Sequence, residues 1–240
     1  MNTLYGSIRF KSHVRDHFAV HYRHDDGVNK PMADFLIDDQ PIDLAALTQI
    51  DEDGAYVDED AFMALDSHLM VEIIDGELVE MNPVGGEHHD VGGNIYNLFF
   101  PHVKRYKLGL VYFDGVIYLL NQKDKRLKGA QVPDVSFIRK TMIPKDWKRD
   151  RPFPGAPTIA VEVVSPGDNI EHLLKRTQTY LDAGTQQVWL VYPKVREIHI
   201  YFSDNTIRRY HDDMSIAMGD LMPDLTLTLA EIFAPPIDLE

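Results

Sequence analysis

The stretch Thr158-Ile-Ala-Val-Glu-Val-Val-Ser-Pro-Gly-Asp168 sets the tightest limit on what this chain can fold into. It opens with Thr, Ile, Ala and Val around a single glutamate. β-Branched side chains crowd a helix and suit a strand. A run this apolar predicts a strand covered on both faces. Ser165-Pro-Gly ends it, and Asp168 is placed to cap a following helix. Side chains alternate along a strand, so Ile159, Val161 and Val163 share one face and Ala160, Glu162 and Val164 the other. Glu162 is thereby a carboxylate in the middle of a strand expected to be buried. Such a group must be paired, protonated or bound to a metal. The plainer reading is a glutamate that faces water near a sheet edge, and the strand alone leaves both open.

The 240 residues suffice for one large domain, or one domain with an extension. There is no cysteine, which excludes a disulfide and a thiolate zinc site. No run approaches the roughly 20 apolar residues of a membrane span. Met1 to Arg15 lacks the apolar core of a signal peptide. The expectation is a cytoplasmic protein with no membrane partner. A net charge of −14 argues against a general nucleic-acid coat, because phosphate binding rests on Lys and Arg.

Residues 1–24 carry His13, His17, His21 and His24, which a helix would stack on one side. That spacing suits a metal site or a pH-sensitive face, and equally a solvated polar tail. Residues 25–60 hold one Lys against twelve Asp and Glu, interrupted by Pro31 and Pro41. Residues 1–56 therefore read as an acidic, loosely ordered extension, and residues 57–240 as the main domain.

Within that domain Asp60 to Leu69 predicts a short helix. Val71-Glu-Ile-Ile, Asp75-Gly76 and Glu77-Leu-Val-Glu predict a hairpin with a type I′ turn. A helix is expected over 87–106, with Pro101 kinking or splitting it. Strands over 110–113, 116–120 and 132–138 follow, then a proline-rich connection over 143–157. A second helix spans 168–183, with Asp168 and Glu171 as a capping box and Gly184 closing it. Its apolar face runs through Ile170, Leu174, Thr177 and Leu181. Residues 187–192 and 197–202 make a second hairpin, 206–210 extend it, and 225–233 add a short strand and a helical turn. Many strands with two substantial helices predict a mixed sheet flanked by helices.

Pro133-Asp134 and Glu162-Val-Val164 form the informative pair, each acid in or beside an apolar strand. If the strands are neighbours, two carboxylates meet at one end of the sheet, and a backbone carbonyl near Val163 adds an oxygen. Mg²⁺ takes such oxygens from protein and completes its octahedron with waters and phosphate. The bound ion can polarise a phosphodiester and lower the pKa of a water. Residues 123–151 add ten Lys or Arg against four Asp around Asp134. This is either a seat for a nucleic-acid backbone or a solvated loop.

Pro-Asp followed by an acid-x-residue strand resembles the PD-(D/E)XK nuclease superfamily. The ordered set of Val71-Glu-Ile-Ile-Asp-Gly-Glu-Leu-Val-Glu, Glu87-His88, Val132-Pro-Asp-Val-Ser-Phe137, Val161-Glu-Val-Val-Ser-Pro166, Lys175 with Tyr180, Gly184 and Val188-Trp-Leu-Val191 narrows it. That order is similar to the Uma-two family of restriction-endonuclease-like proteins, over about residues 60–234. The resemblance implies an α/β (α+β) fold of restriction-endonuclease type, a mixed β-sheet flanked by helices. It implies a nuclease dependent on Mg²⁺, with Mn²⁺ as an alternative, and DNA of unspecified form as partner. It implies Asp134 and Glu162 as metal ligands. The superfamily's lysine sits two residues after the acid, where this chain has Val164, and the resemblance places its replacement at Lys175. By helical spacing alone Lys175 is a surface residue. His88 matches the histidine that opens the first helix, to position the nucleophile, hold a second ligand or serve structure. Glu72 matches the hairpin glutamate. Three readings follow: a metal-dependent nuclease, a catalytically inactive module of that fold binding nucleic acid or protein, and a carboxylate-pair hydrolase such as a glycosidase. The ordered set favours the first; Val164 and the net charge favour the second. A homodimer stays open.

Overall fold

The computed structural model describes residues 36–37, 40–41, 44–65, 71–81 and 84–237. The chain divides into two units, Met1–Leu44 and Ala45–Glu240. In the first, β1 (Leu36–Ile37) and β2 (Gln40–Pro41) pair antiparallel. The four N-terminal histidines and Leu69 lie outside the described residues.

The second unit begins with β3 (Thr48–Asp51), β4 (Gly54–Asp58) and the short helix α1 (Glu59–Ala64). The hairpin of β5 (Val71–Ile74) and β6 (Glu77–Glu80) precedes the long helix α2 (Gly86–Tyr106). Next come β7 (Gly109–Phe113), β8 (Tyr118–Leu120), β9 (Arg126–Leu127), β10 (Gly129–Gln131) and β11 (Val135–Arg139). They are followed by β12 (Ile159–Val163), α3 (Ile170–Asp182), β13 (Gln187–Tyr192), β14 (Glu197–Phe202) and β15 (Ile207–Tyr210). The last elements are β16 (Ser215–Ala217), β17 (Thr226–Thr228) and α4 (Leu229–Ile232). No helix among the described residues is long and apolar enough to cross a membrane.

The main sheet has the order β15-β14-β13-β12-β11-β7. β12 runs parallel to β13 and antiparallel to β11, so the sheet is mixed. Every residue of β12 is buried, as its composition requires. α2 covers one face: Val91, Ile95, Phe99 and Val103, at helical spacing, pack on Ile159, Val161, Val163 and Trp189. Phe99 meets Trp189 edge to face with ring centres 5.7 Å apart. On the other face Ala160, Ile138 and Val188 pack with Tyr180 of α3 and with Tyr118 and Leu120 of β8. Each buried Val, Leu, Ile or Phe among them contributes about 1.5–3 kcal/mol. Glu162 shares its face with Ala160 and so lies on the α3 side.

A second sheet, β6-β5-β10-β8, carries the first hairpin, and β3-β4-β9 forms a third. Asp75 and Gly76 both have positive φ, 52° and 81°, as a type I′ turn needs. Gly76 is required twice over, because a Cβ there would stand 2.0 Å from the Ala55 carbonyl oxygen. Val57 of β4 lies opposite Leu127 of β9, and both have 0% exposure. Asp51 accepts a hydrogen bond from Arg126. Residues 45–56, which charge alone groups with the extension, thus belong to the compact unit.

Pro101 does not break α2, which runs unbroken past it. The bond it removes is the one to Asn97 four residues back, and both residues lie on the exposed side of the helix, where that carbonyl is open to solvent. α3 is capped by Asn169, whose side chain accepts from Glu171 N–H at 2.8 Å and His172 N–H at 3.3 Å. Asp168 is diverted into the preceding turn, where it accepts from Ser165 N–H at 2.7 Å.

Candidate active site

The site forms where the pairing of β11 with β12 stops. Val135 lies opposite Val161. The next pair in that register is Pro133 opposite Val163. Proline has no N–H, so it cannot donate to the Val163 carbonyl. The Val163 N–H donates instead to Asp134 Oδ2, at 2.6 Å. Pro-Asp therefore ends the ladder and lays a carboxylate against β12 at Val163. The Asp134 carbonyl faces the other way and accepts from Asp114 N–H at 2.8 Å. His88, in the first turn of α2, is buried and brings Nε2 to 3.3 Å from the same Asp134 oxygen. Burial pulls the imidazole pKa down. The hydrogen bond to Asp134 and the Asp134 charge outweigh it, with a smaller push from the Val163 backbone, and the net direction is up.

Arg176 of α3 joins two buried glutamates. Its guanidinium donates to Glu162 Oε2 at 2.7 Å and to Glu72 Oε1 at 3.1 Å. Glu72 and Glu162 are only 1% and 4% exposed. Glu72 Oε1 also accepts from Val132 N–H at 2.7 Å, which ties the hairpin to the segment entering Pro133-Asp134. Burial raises both carboxyl pKa values; Arg176 opposes the rise and the charge of Asp134 adds to it. Burial disfavours the Arg176 cation, but the Glu162 and Glu72 charges overcome this and raise its pKa above that of an ordinary arginine.

The helix geometry explains why Arg176, and not Lys175, arrives here. Leu173, Thr177 and Tyr180 are the buried stripe, and Arg176 lies on it. Lys175 is one residue round the helix, 47% exposed, and pairs with Glu171 Oε1 at 3.2 Å. Ile170 and Leu174, drawn inward from hydropathy, are 74% and 48% exposed. The buried face is thus rotated by about 100°, one residue, from the one that hydropathy suggests. The structure links Glu72 to Glu162 through Arg176, and His88 to Asp134 and the Val163 N–H, and leaves Lys175 outside.

A family model described as "Uma2: Putative restriction endonuclease" matches residues 59–230. The chain belongs to the Uma2 family. Among solved structures, this Uma2 chain is similar to "a putative nuclease belonging to DUF820" from Anabaena variabilis ATCC 29413. The identity is 19% and the TM-score 0.64, with 74% of this chain and 97% of that chain covered. At that identity the likeness establishes a shared nuclease-like fold. No curated protein matches.

The Uma2 segment holds two polar residues that pattern reading passed over, Arg176 and Gln131. Gln131 is the next residue of β10 after Ala130, which pairs with Ile73, the neighbour of Glu72. Gln131 is fully buried, and neither of its amide atoms has a hydrogen-bond partner. Glu162 Oε1, Arg176 Nε and the Tyr180 hydroxyl are also buried without one. Tyr180 lies beside Glu162, near enough to influence its titration but outside hydrogen-bond geometry. A carboxylate oxygen left without a partner, beside a second carboxylate, fits a hard cation. Among the described residues no three His, Asp or Glu side chains gather around one ion position. Two carboxylates and a carbonyl suit Mg²⁺, which keeps several waters, better than a zinc ion that wants three protein ligands.

Proposed function

We propose that this Uma2 chain is a divalent-cation-dependent nuclease that hydrolyses phosphodiester bonds of DNA, using Mg²⁺ or Mn²⁺. The reading is supported by Asp134, which meets His88 and the Val163 N–H at the end of β12, and by the next residue in the strand, Glu162, whose Oε1 is buried and unpartnered. Asp134, Glu162 and the Val163 carbonyl would hold the ion. When bound, such an ion polarises a phosphoryl oxygen and lowers the pKa of a water.

The chain's own residues orient and balance charge. Arg176 holds Glu162 and Glu72 in place and offsets their charge. An arginine does not deprotonate in a protein, so it cannot be the base that a lysine could become. His88 sets Nε2 against Asp134, where it can hold a phosphate oxygen or pass a proton to the leaving oxygen. Lys175, on the outer side of α3, is left for a phosphate contact outside the acid cluster.

A module of the same fold that binds nucleic acid or protein without cleaving is the second reading. It is favoured by Arg176, which already occupies Glu162 Oε2, and by Val164 in the usual lysine position. Incubating the purified full-length protein with linear, plasmid and single-stranded DNA in Mg²⁺ and Mn²⁺ separates the two. The expected result is cleavage that EDTA stops. Asp134→Asn and Glu162→Gln should each lower it more than about 100-fold while remaining folded. DNA retained in a gel shift but never cut supports the non-cleaving module. Cleavage unchanged in Asp134→Asn sinks the site assignment.

A further inference from the structure

A row of rings leads away from the acid cluster along one flank of α2. The exposed His89 stands edge-on to His88 and to Phe113 of β7, with ring centres 5.8 Å and 6.3 Å apart. Phe113 lies 5.9 Å from Tyr96, and Tyr96 stacks on Phe100 at 5.2 Å with 18° between the planes. Lys104 Nζ lies 5.5 Å from the centre of the Phe100 ring. Residues 89, 93, 96, 100 and 104 follow one stripe of the helix, and Lys107 caps its end. Phe100 and Phe113 are 38% and 39% exposed, which is high for a phenylalanine.

The row starts at the acid cluster. A Cβ on Gly92 would stand 3.0 Å from Phe113 Cε2 and 3.9 Å from Asp134 Cβ, so helix backbone, ring and carboxylate close on one another. It ends at a recess of about 330 Å³ lined by Val103, Lys104, Lys107, Gly109, Lys140 and Ile143. Three of those six residues are lysines. From Gly93 to Lys107 the sequence holds three basic residues and no acid, in a chain whose net charge is −14.

We propose that this track binds a single-stranded nucleic acid and feeds it to the acid cluster. The proposal rests on the nuclease reading only for what happens at the Asp134 end. Every base has a π-face, so a ladder of rings takes any sequence of unpaired bases, while lysines take the phosphates. A duplex keeps its bases stacked on each other and offers the rings nothing. Lys104 can yield the face of Phe100 to a base and turn to a phosphate. From His89 to Tyr106 the helix rises roughly 25 Å, room for several nucleotides.

Fluorescence anisotropy on the full-length protein in EDTA reads binding without cleavage. The probes are single-stranded DNA, single-stranded RNA and duplex DNA of equal length. The expected result is tighter binding of a single strand, of either sugar, than of duplex. Phe100→Leu keeps apolar bulk without a ring and should weaken single-strand binding about ten-fold, whereas Phe100→Trp should keep it. Replacing Lys104 and Lys107 by alanine should lower the slope of log affinity against log salt by about 0.7 per lysine. Unchanged affinity in Phe100→Leu, equal losses in the Leu and Trp variants, or preference for duplex overturns the proposal. So does sedimentation in which Phe100→Leu turns a dimer into a monomer with single-strand affinity intact, because the face is then a protein interface. Single-strand preference without cleavage in Mg²⁺ removes the nuclease reading and keeps the track. Cleavage with both Phe100 variants silent does the reverse.

Discussion

Arg176 is the side chain on which the buried acids depend. It is the cation that meets both Glu72 and Glu162, and each of those carboxylates is almost wholly out of water. Removing one partner of a buried charge cluster costs far more than the cluster contributes, because the remaining charges stay desolvated. Arg176→Ala should therefore destabilise the protein by roughly 3–5 kcal/mol. Lys175→Ala, which breaks only an exposed pair with Glu171, should cost no more than about 0.5 kcal/mol. Denaturant melts of the two variants test this, and a larger loss in the lysine variant would reverse the assignment. The same burial has a pH consequence. Glu162 and Glu72 titrate above the ordinary glutamate value of 4.5 in the folded chain, chiefly because they are buried. A raised folded-state pKa means that the fold holds the proton more tightly than the unfolded chain does. Their contribution is then fully present below 4.5 and is lost as pH rises through the folded values. Melting temperature in EDTA should fall across that window, and Glu162→Gln should flatten the fall. A profile identical in wild type and variant would mean that Glu162 titrates normally.

At the scale of elements, the informative hairpin is β3–β4. Most of it lies within residues 1–56, which charge counting assigns to an acidic extension, yet β3 pairs with β4 along its length and β4 completes a sheet with β9. Deleting residues 1–44 should leave a cooperatively folding unit, since the compact unit starts at Ala45. Deleting 1–56 should lower the melting temperature further and broaden the transition, because β3 and most of β4 are removed, and with them the Asp51–Arg126 bond. Equal melts for the two truncations would return residues 45–56 to the extension. Other elements were legible from local chemistry. Asp75-Gly76 announced its turn through φ alone, and β12 announced burial on both faces through composition. α3 was legible as a helix but not in its orientation. Its apolar residues lie on two adjacent stripes, and the less apolar one, Leu173, Arg176, Thr177 and Tyr180, is the buried one. Hydropathy ranks Arg176 as a surface residue, and nothing local to the helix contradicts that.

Over the whole molecule, β12 is the axis: α2 is packed on one face, α3 and the second sheet on the other, and the acid cluster sits at its C-terminal end. The net charge of −14 conceals a basic flank on α2, so total charge was a poor guide to which ligand the surface suits. By itself the sequence determined the strand character of 159–163, the face shared by Ala160 and Glu162, and the break that Pro133 imposes on the ladder. Each follows from propensity, side-chain alternation or a missing N–H, properties of residues adjacent in the chain. The ordered motifs likewise identified the family to which the chain belongs. Only the tertiary structure decided which cation meets the acids. Arg176 is 14 residues from Glu162 and 104 from Glu72, and its burial is favourable only because both carboxylates arrive at the same place. Likewise Phe113 joins Tyr96 and Phe100 in one row only because β7, the edge strand of the sheet, lies under α2. Pairings between distant segments are set by how the layers pack, and no local periodicity encodes them.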